Sequence, residues 1–336
     1  MIGRNGRFGR SAGTVLSAAV CIAACWVHGV SAIGSTGWFA TRVKFEYQYT
    51  DYNEYRYPDP IPPSYPDVEY TRPDPYIADF PETRTLVRVT QAFGPTNVLQ
   101  LRYQYSDLTD TKRQNLYYVR FARDVTQVTS LYAVYQVTEL PDWFSGYMVT
   151  LGAHHDRSGW ILGDWSASYF RNRAADGNLV ETLIPSFQLR YSIDGMTALT
   201  GRWEAYWARG GNGKSTANVW SLFLSRYLPT QTAVHVACRL YDNSGGVRSW
   251  APMLEVAQYI RWNLTLRMTY RYYTNEIEDP EIKTAIEGDG VRSHSVRGYL
   301  EWQIGSDLKI HIKLRRYVSN QHVEMNTYLL GFEYML

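Results

Sequence analysis

The chain has little cysteine and, beyond its first residues, no long apolar run. Its 336 residues include three cysteines and no C-x-x-C-H motif, so the sequence predicts neither a disulfide framework nor a covalently attached haem. No internal stretch is long and apolar enough for a membrane helix, which excludes a helical membrane protein. The formal net charge of +2 gives no indication of a nucleic-acid partner.

Residues 1–32 have the pattern of a cleaved secretory signal. Three arginines precede an apolar run over residues 12–27, and "VSA" predicts cleavage after Ala32. An alternative is lipoprotein-type cleavage at "IAAC", which would leave Cys25 as a lipidated N-terminus. Cleavage after Ala32 removes two cysteines and leaves Cys238 without a cysteine partner. We therefore expect an exported single domain spanning residues 33–336.

The rest of the chain is rich in tyrosine and alternates between apolar and polar residues. It contains 28 Tyr and 11 Trp. The segment "GWFATRVKFEYQYTDY" places Val43, Phe45 and Tyr47 on one side and Arg42 and Lys44 on the other. A period of two residues is typical of a strand with two different faces. Counting this one, about 16 such segments run to the C-terminus, although prolines at 185 and 252 weaken two of them.

The lengths of these segments and of their connections indicate which face meets lipid. The strands run for about 9–12 residues, enough to cross a bilayer when tilted, whereas strands of soluble proteins usually have about 5–6. Tyr and Trp crowd the ends of the apolar stripes, as at a headgroup boundary. Short connections, near residues 94, 124, 154, 194, 228, 261 and 305, alternate with mostly longer ones. An exported soluble sandwich or propeller, with the apolar faces buried, is the alternative.

In these features the chain resembles Gram-negative outer-membrane β-barrels of the porin type. The resemblance implies an all-β fold: a transmembrane antiparallel up-and-down β-barrel of about 16 strands, with short periplasmic turns and long extracellular loops. Gly331, Tyr334 and Leu336 match the terminal frame that the assembly machinery reads in such barrels, although Leu329 and the final leucine depart from the usual residues. The implied location is the outer membrane, with lipid, lipopolysaccharide and the assembly machinery as partners, and a homo-oligomer or a periplasmic partner protein left open.

The polar face of the predicted strands has an excess of basic residues. Its fifteen bases are Arg42, Lys44, Arg84, Arg88, Arg102, Arg120, Arg190, Arg202, Arg239, Arg267, Arg271, Arg297, Lys309, Lys313 and Arg315. Its six acids are Glu46, Asp164, Glu204, Glu255, Glu301 and Glu333. Cross-strand pairing cannot neutralise an excess of this size, and basic walls favour anions in a pore.

The sequence predicts no catalytic residue, no metal site and no cofactor. In "SHS" the central histidine and its serine neighbours, Ser293 and Ser295, point to opposite faces of a strand. The segment "HHD", at 154–156, is predicted to be a periplasmic turn, and His235 and His311 to be single polar wall residues.

Two functions of different classes are compatible with these patterns. The first is a channel, a porin for passive passage of small solutes with a preference for anions. The second is a structural sheath that holds a partner protein, such as a periplasmic multihaem cytochrome, in an electron conduit. The proline-rich loop at 51–82 could fold into the pore or stand outside it, and the acidic loop at 275–293 could bind divalent cations beside lipopolysaccharide.

Overall fold

The computed structural model describes residues 40–52, 81–108, 113–141, 144–157, 160–174, 177–210, 213–277, 290–320 and 323–336. The predicted signal with both of its cleavage sites, and most of the two long predicted loops, lie outside these residues. The strands are β1 (Thr41–Tyr52), β2 (Pro81–Phe93), β3 (Asn97–Leu108), β4 (Arg113–Asp124), β5 (Thr129–Leu140), β6 (Phe144–Arg157), β7 (Ile161–Ala174), β8 (Leu179–Ser192), β9 (Thr197–Gly210), β10 (Gly213–Leu228), β11 (Thr232–Asn243), β12 (Val247–Arg261), β13 (Leu264–Ile277), β14 (Arg292–Ile304), β15 (Leu308–Ser319) and β16 (Glu324–Met335). Among the described residues, no helix is long and apolar enough to span a membrane.

The 16 strands form one closed barrel in chain order. Each strand pairs antiparallel with the next, and β1 closes the ring by pairing antiparallel with β16. Closure leaves no unpaired sheet edge, so every strand has hydrogen-bonding partners on both sides. The predicted strand number and up-and-down topology are confirmed.

The two ends of the barrel differ in their connections. At the end where β1 begins and β16 finishes, hereafter the turn end, the connections are 94–96, 125–128, 158–160, 193–196, 229–231, 262–263 and 305–307. At the opposite end, hereafter the loop end, 53–80 and 278–291 are long, whereas 109–112, 141–143, 175–178, 211–212, 244–246 and 320–323 are as short as the turns. The predicted difference in length therefore comes from two connections. At the other six positions, pairing continues through the polar strand ends.

The turn between β8 and β9 is closed by a carboxylate. The backbone nitrogens of Met196 and Thr197 donate to Oδ1 of Asp194 over 2.7 and 2.6 Å. These hydrogen bonds lower the pKa of Asp194 below its usual range, and the one from Met196 has the largest effect. A side-chain acceptor two or three residues before a strand is a common way to terminate a tight turn.

Pro185 and Pro252 each interrupt pairing on one side of their strand only. Pro185 pairs with Ala167 of β7, but the β8–β9 register passes from Leu183 to Ser186. Pro252 likewise pairs with β11, while the β12–β13 register passes from Trp250 to Met253. A proline has no N–H to donate, so each strand loses part of one ladder and continues on the other.

The prediction of a turn at 154–156 was wrong. These residues belong to β6, and the connection begins only at residue 158. His154 is 2.8 Å from Oδ1 of Asp164 on β7, and His155 is 2.9 Å from Oγ1 of Thr129 on β5. Polar residues extend the strand here because neighbouring strands supply their hydrogen-bonding partners.

The orientation in the membrane is a prediction that insertion can test. A protease site inserted within 53–80 is expected to be cut by protease added to intact cells, and a site within 193–196 to be protected. The reason is that long loops of such barrels face outward and tight turns face the periplasm. Cutting at 193–196 alone would reverse the predicted orientation, and permeabilised cells provide the control for accessibility of both sites.

Candidate functional site

The pairing register separates the strand residues into one polar and one apolar face. Lys44 lies opposite Glu333, and the neighbouring outward pair is Phe45 with Phe332. The same alternation continues around the ring. Large apolar side chains of the second face are well exposed; Leu151, for example, is 63% exposed. A face of this composition and exposure is suited to lipid contact.

Ion pairs between strands that are not neighbours show that the polar face is the inner one. Nη2 of Arg88 on β2 is 3.2 Å from Oε2 of Glu333 on β16, across β1. Nη2 of Arg297 on β14 is 3.2 Å from Oε2 of Glu255 on β12, across β13. Strands two apart are separated by nearly 10 Å, so side chains converge this closely only on the concave side. The charged wall therefore surrounds the lumen of the barrel.

The register places all fifteen predicted basic residues on this inner wall. Arg202, Arg267 and Lys313, for example, alternate with outward apolar neighbours on their strands. Two acids that sequence reasoning missed share the wall, Asp124 and Asp156. They lie at strand ends near the turn end, beyond the alternating segments that the sequence predicts. Together with the six predicted acids they make eight acidic residues on the inner wall of the described strands, against the fifteen predicted basic residues.

Several inner acids each bind two cations. Glu333 contacts Arg42 and Arg88, both at 3.2 Å. Glu255 contacts Arg267 at 3.4 Å and Arg297 at 3.2 Å. The same sharing occurs at Glu204, between Arg202 and Arg239, whereas Glu46 contacts one cation, Lys44, and the ring of His311. One carboxylate between two guanidinium groups leaves a net positive charge, so pairing orders the wall without neutralising it.

The acids in these groups are recessed and the arginines project. The side chain of Glu204 is 13% exposed and that of Arg202 is 43% exposed. The side chain of Glu255 is 12% exposed and that of Arg267 is 41% exposed. Carboxylates close to the backbone hold the longer arginine side chains while the guanidinium groups extend towards the lumen. At these groups the surface presented to the lumen is therefore more basic than the count of their charges alone indicates.

Two further arginines lie over tyrosine rings of the inner wall. The guanidinium of Arg102 is 5.4 Å from the ring centroid of Tyr118, and that of Arg120 is 5.0 Å from that of Tyr132. The Tyr132 ring occupies the space above Gly152, where a Cβ atom would come within 2.2 Å of it. A ring face attracts a cation without neutralising its charge. The rings thus restrain the position of these arginines without supplying a neutralising charge.

The inner histidines each have one polar partner. His154 contacts Asp164, Nδ1 of His235 is 2.8 Å from Oγ of Ser225, and Nε2 of His311 is 2.8 Å from Oε1 of Glu46. In the part of the chain that the structure describes, no group of three or more His, Cys, Asp or Glu residues is placed to hold a metal ion.

The "SHS" residues occupy the faces that the sequence predicts. Ser295 accepts a hydrogen bond from Nε of Arg315 on the inner wall, at 2.9 Å. The hydroxyl of Tyr270 lies 2.9 Å from Nδ1 of His294 on the outer face. The two groups are thus separated by the wall of the barrel, and they do not form a dyad.

The terminal motif residues lie on β16 and at its end. Tyr334 points outward opposite Val43, and the backbone nitrogen of Leu336 donates to the carbonyl oxygen of Thr41. Gly331 lies on the inner face beneath His311, where a Cβ atom would come within 2.2 Å of Nε2 of His311 and 2.9 Å of the Phe45 carbonyl oxygen. Packing alone therefore requires glycine at 331, whatever the assembly machinery reads there.

Replacing Gly331 by alanine is expected to lower the free energy of unfolding by about 1–3 kcal/mol, because the new methyl group must displace His311 and the β1 backbone. Equilibrium unfolding of refolded protein in micelles, without assembly machinery, measures this effect. Gly201→Ala is the matched control, since a Cβ atom there meets nothing within 4 Å. Equal stability of the two variants would contradict the packing role.

Comparisons with known proteins agree with this architecture. No protein-family model and no curated protein sequence matches the chain. A solved structure described as a bacterial polysaccharide outer membrane secretin has a TM-score of 0.56 at 7% identity, covering 90% of this chain and 99% of its own. A loop-deletion mutant of OmpT, an outer membrane protein of Vibrio cholerae, has a TM-score of 0.50 at 7% identity, covering 89% of this chain and 98% of its own.

Structural similarity at such low sequence identity shows the fold and nothing more specific. The chain forms a closed all-β barrel of the outer-membrane porin type, with an apolar outer face and a charged inner wall. The resemblance predicted from the sequence is confirmed at the level of this fold, with which the predicted outer-membrane location is consistent.

Proposed function

We propose that the protein is an outer-membrane channel for the passive passage of small solutes, with a preference for anions. The observation that carries the proposal is the arrangement of the inner wall, on which recessed carboxylates hold projecting arginines. A solute in the lumen would meet guanidinium groups before it meets the acids that hold them.

The dimensions of the barrel support a field that acts on passing ions. Barrels of 16 strands enclose an aqueous lumen. The field of a fixed charge extends about 10 Å in 0.1 M salt, which is comparable to the radius of such a lumen. Basic walls at this distance favour anions over cations.

We propose a passive role, without catalysis. Each inner histidine has a partner that accounts for it structurally, and charged residues line the inner face of most of the described strands. A lumen that binds a partner protein, as in the sheath hypothesis, would replace water by that partner and abolish conductance of the complex.

Conductance of the purified protein in a planar bilayer tests the proposal. We expect discrete channels and, across a KCl gradient, a reversal potential that indicates chloride preference. Stable insertion without conductance would contradict a channel. A haem absorption band that remains with the protein through purification would favour the sheath. Conductance with potassium preference would contradict the anion preference but retain the channel.

A further inference from the structure

A second group of basic residues lies on the outer face at the loop end. Arg171 on β7, Glu181 on β8, Arg209 on β9 and Lys214 on β10 are consecutive partners in the pairing register. They form one row across four neighbouring strands, and Arg173 lies two residues further towards the loop end. Arg171, Arg173, Arg209 and Lys214 are called the basic rim below.

The basic rim lies where lipid headgroups meet the barrel. The row one step closer to the middle of the barrel contains Tyr169, Leu183 and Trp207. Aromatic rings of this kind mark the boundary between hydrocarbon and headgroups. Two residues along a strand add roughly 6.6 Å. The cations are therefore at the depth of the headgroup phosphates, and they face outward from the barrel.

The single acid in the row orders the cations without cancelling them. Nε and Nη2 of Arg209 lie 2.7 and 2.6 Å from Oε2 of Glu181, and the hydroxyl of Tyr169 donates to Oε1 over 2.6 Å. The Glu181 side chain is 18% exposed, whereas that of Arg209 is 73% exposed. The guanidinium group is thus held in place with most of its surface available to a ligand.

Among the outward charges of the described strands, the excess of positive charge is specific to this sector of the rim. The basic rim has four bases against Glu181. Other outward charges near the loop end of the described strands are Asp107, Arg113 and Glu139 on β3–β5, Asp242, Arg248 and Glu276 on β11–β13, and Arg292, Arg316, Glu324 and Asp51 on β14–β1. Each of those sectors is balanced or acidic. Asp176, next to the row in sequence but outside the described residues, would lower the excess by one without removing it.

From this placement we propose that the basic rim binds the phosphate groups of lipopolysaccharide. Arginine suits this role because its planar fork of donors matches phosphate oxygens. The row spans three strand spacings, about 14 Å, which allows contact with more than one phosphate. The inference rests on the predicted orientation, in which the loop end lies in the outer leaflet, and it does not depend on conductance.

Titration of purified protein in micelles with rough lipopolysaccharide, followed by native mass spectrometry, tests the proposal. Replacing Arg171, Arg209 and Lys214 together by glutamine is expected to weaken binding about tenfold or more, because several charge-assisted hydrogen bonds are lost. The matched control replaces Arg113, Arg248 and Arg316 by glutamine, which removes the same charge from the other sectors and should preserve binding. Heat-modifiable electrophoretic mobility reports folding of each variant.

A second variant avoids the ion pairs of the row. Arg173→Gln with Lys214→Gln changes two side chains for which the described residues supply no ion pair, and it is expected to weaken binding in the same direction. Enzymatically dephosphorylated lipopolysaccharide should bind the wild type and the triple variant equally weakly. Unchanged binding by both variants, or equal loss in the control, would overturn the site. Binding of phosphatidylglycerol as strong as that of lipopolysaccharide would overturn the assignment to that lipid.

Discussion

Replacing Ile312 by arginine is expected to lower the free energy of unfolding by about 2–4 kcal/mol, the cost of a cation on the lipid face near the bilayer midplane. Ile312 lies on β15 opposite Leu300 of β14 and Leu330 of β16, within the apolar outer band. An arginine in this position must either lose its hydration or bend towards a distant headgroup. Reversible unfolding from lipid vesicles in denaturant measures the difference.

The neighbouring residue supplies the matched control. Lys313 points into the lumen between Tyr299 and Leu329, and its electrostatic neighbours include Arg84, Arg297 and Arg315. Lys313→Ala removes one cation from a group of like charges, so it should cost little. Equal destabilisation by the two substitutions would mean that both faces of β15 meet the same environment.

Reversing two inner charges is expected to change ion selectivity. With Arg120→Glu and Lys313→Glu together, the reversal potential across a KCl gradient should shift towards potassium. Arg120 lies over the Tyr132 ring, and no ion pair to a carboxylate is found for either residue among the described residues. Both substitutions should therefore act on the lumen field with little rearrangement of the paired groups. The shift should be larger in dilute salt, where screening is weaker.

The control for selectivity reverses the same number of charges on the other face. Arg123 on β4 and Arg226 on β10 pair with Leu131 and Val234, so they share the outward face near the turn end. Arg123→Glu with Arg226→Glu should leave the reversal potential close to that of the wild type. A shift as large as that of the inner pair would mean that charge at the mouth, not along the wall, sets selectivity.

Alternation, together with the length of the strands and of their connections, determined the barrel and its two faces. Strands such as β15 and β16 keep a period of two over their whole length, so assigning Ile312 outward and Lys313 inward needs only local sequence. The even number of long strands and the seven tight turns follow from the same pattern. The alternating pattern did not predict that the strands continue through their polar ends, because residues such as His154 are compatible with either a turn or a paired strand.

Only the tertiary structure decided which charges meet. Arg88 and Glu333 are far apart in the sequence and lie two strands apart across the closure of the barrel, so their contact depends on ring closure and on register. The same holds for Arg171, Glu181 and Arg209, which form a row only because the pairing register of β7, β8 and β9 places them side by side. How deeply the acids are recessed and how far the arginines project also depend on how far each side chain reaches from a concave wall. The alternating sequence determined the basic excess of the inner face, whereas the curvature of the closed sheet decided which groups present it.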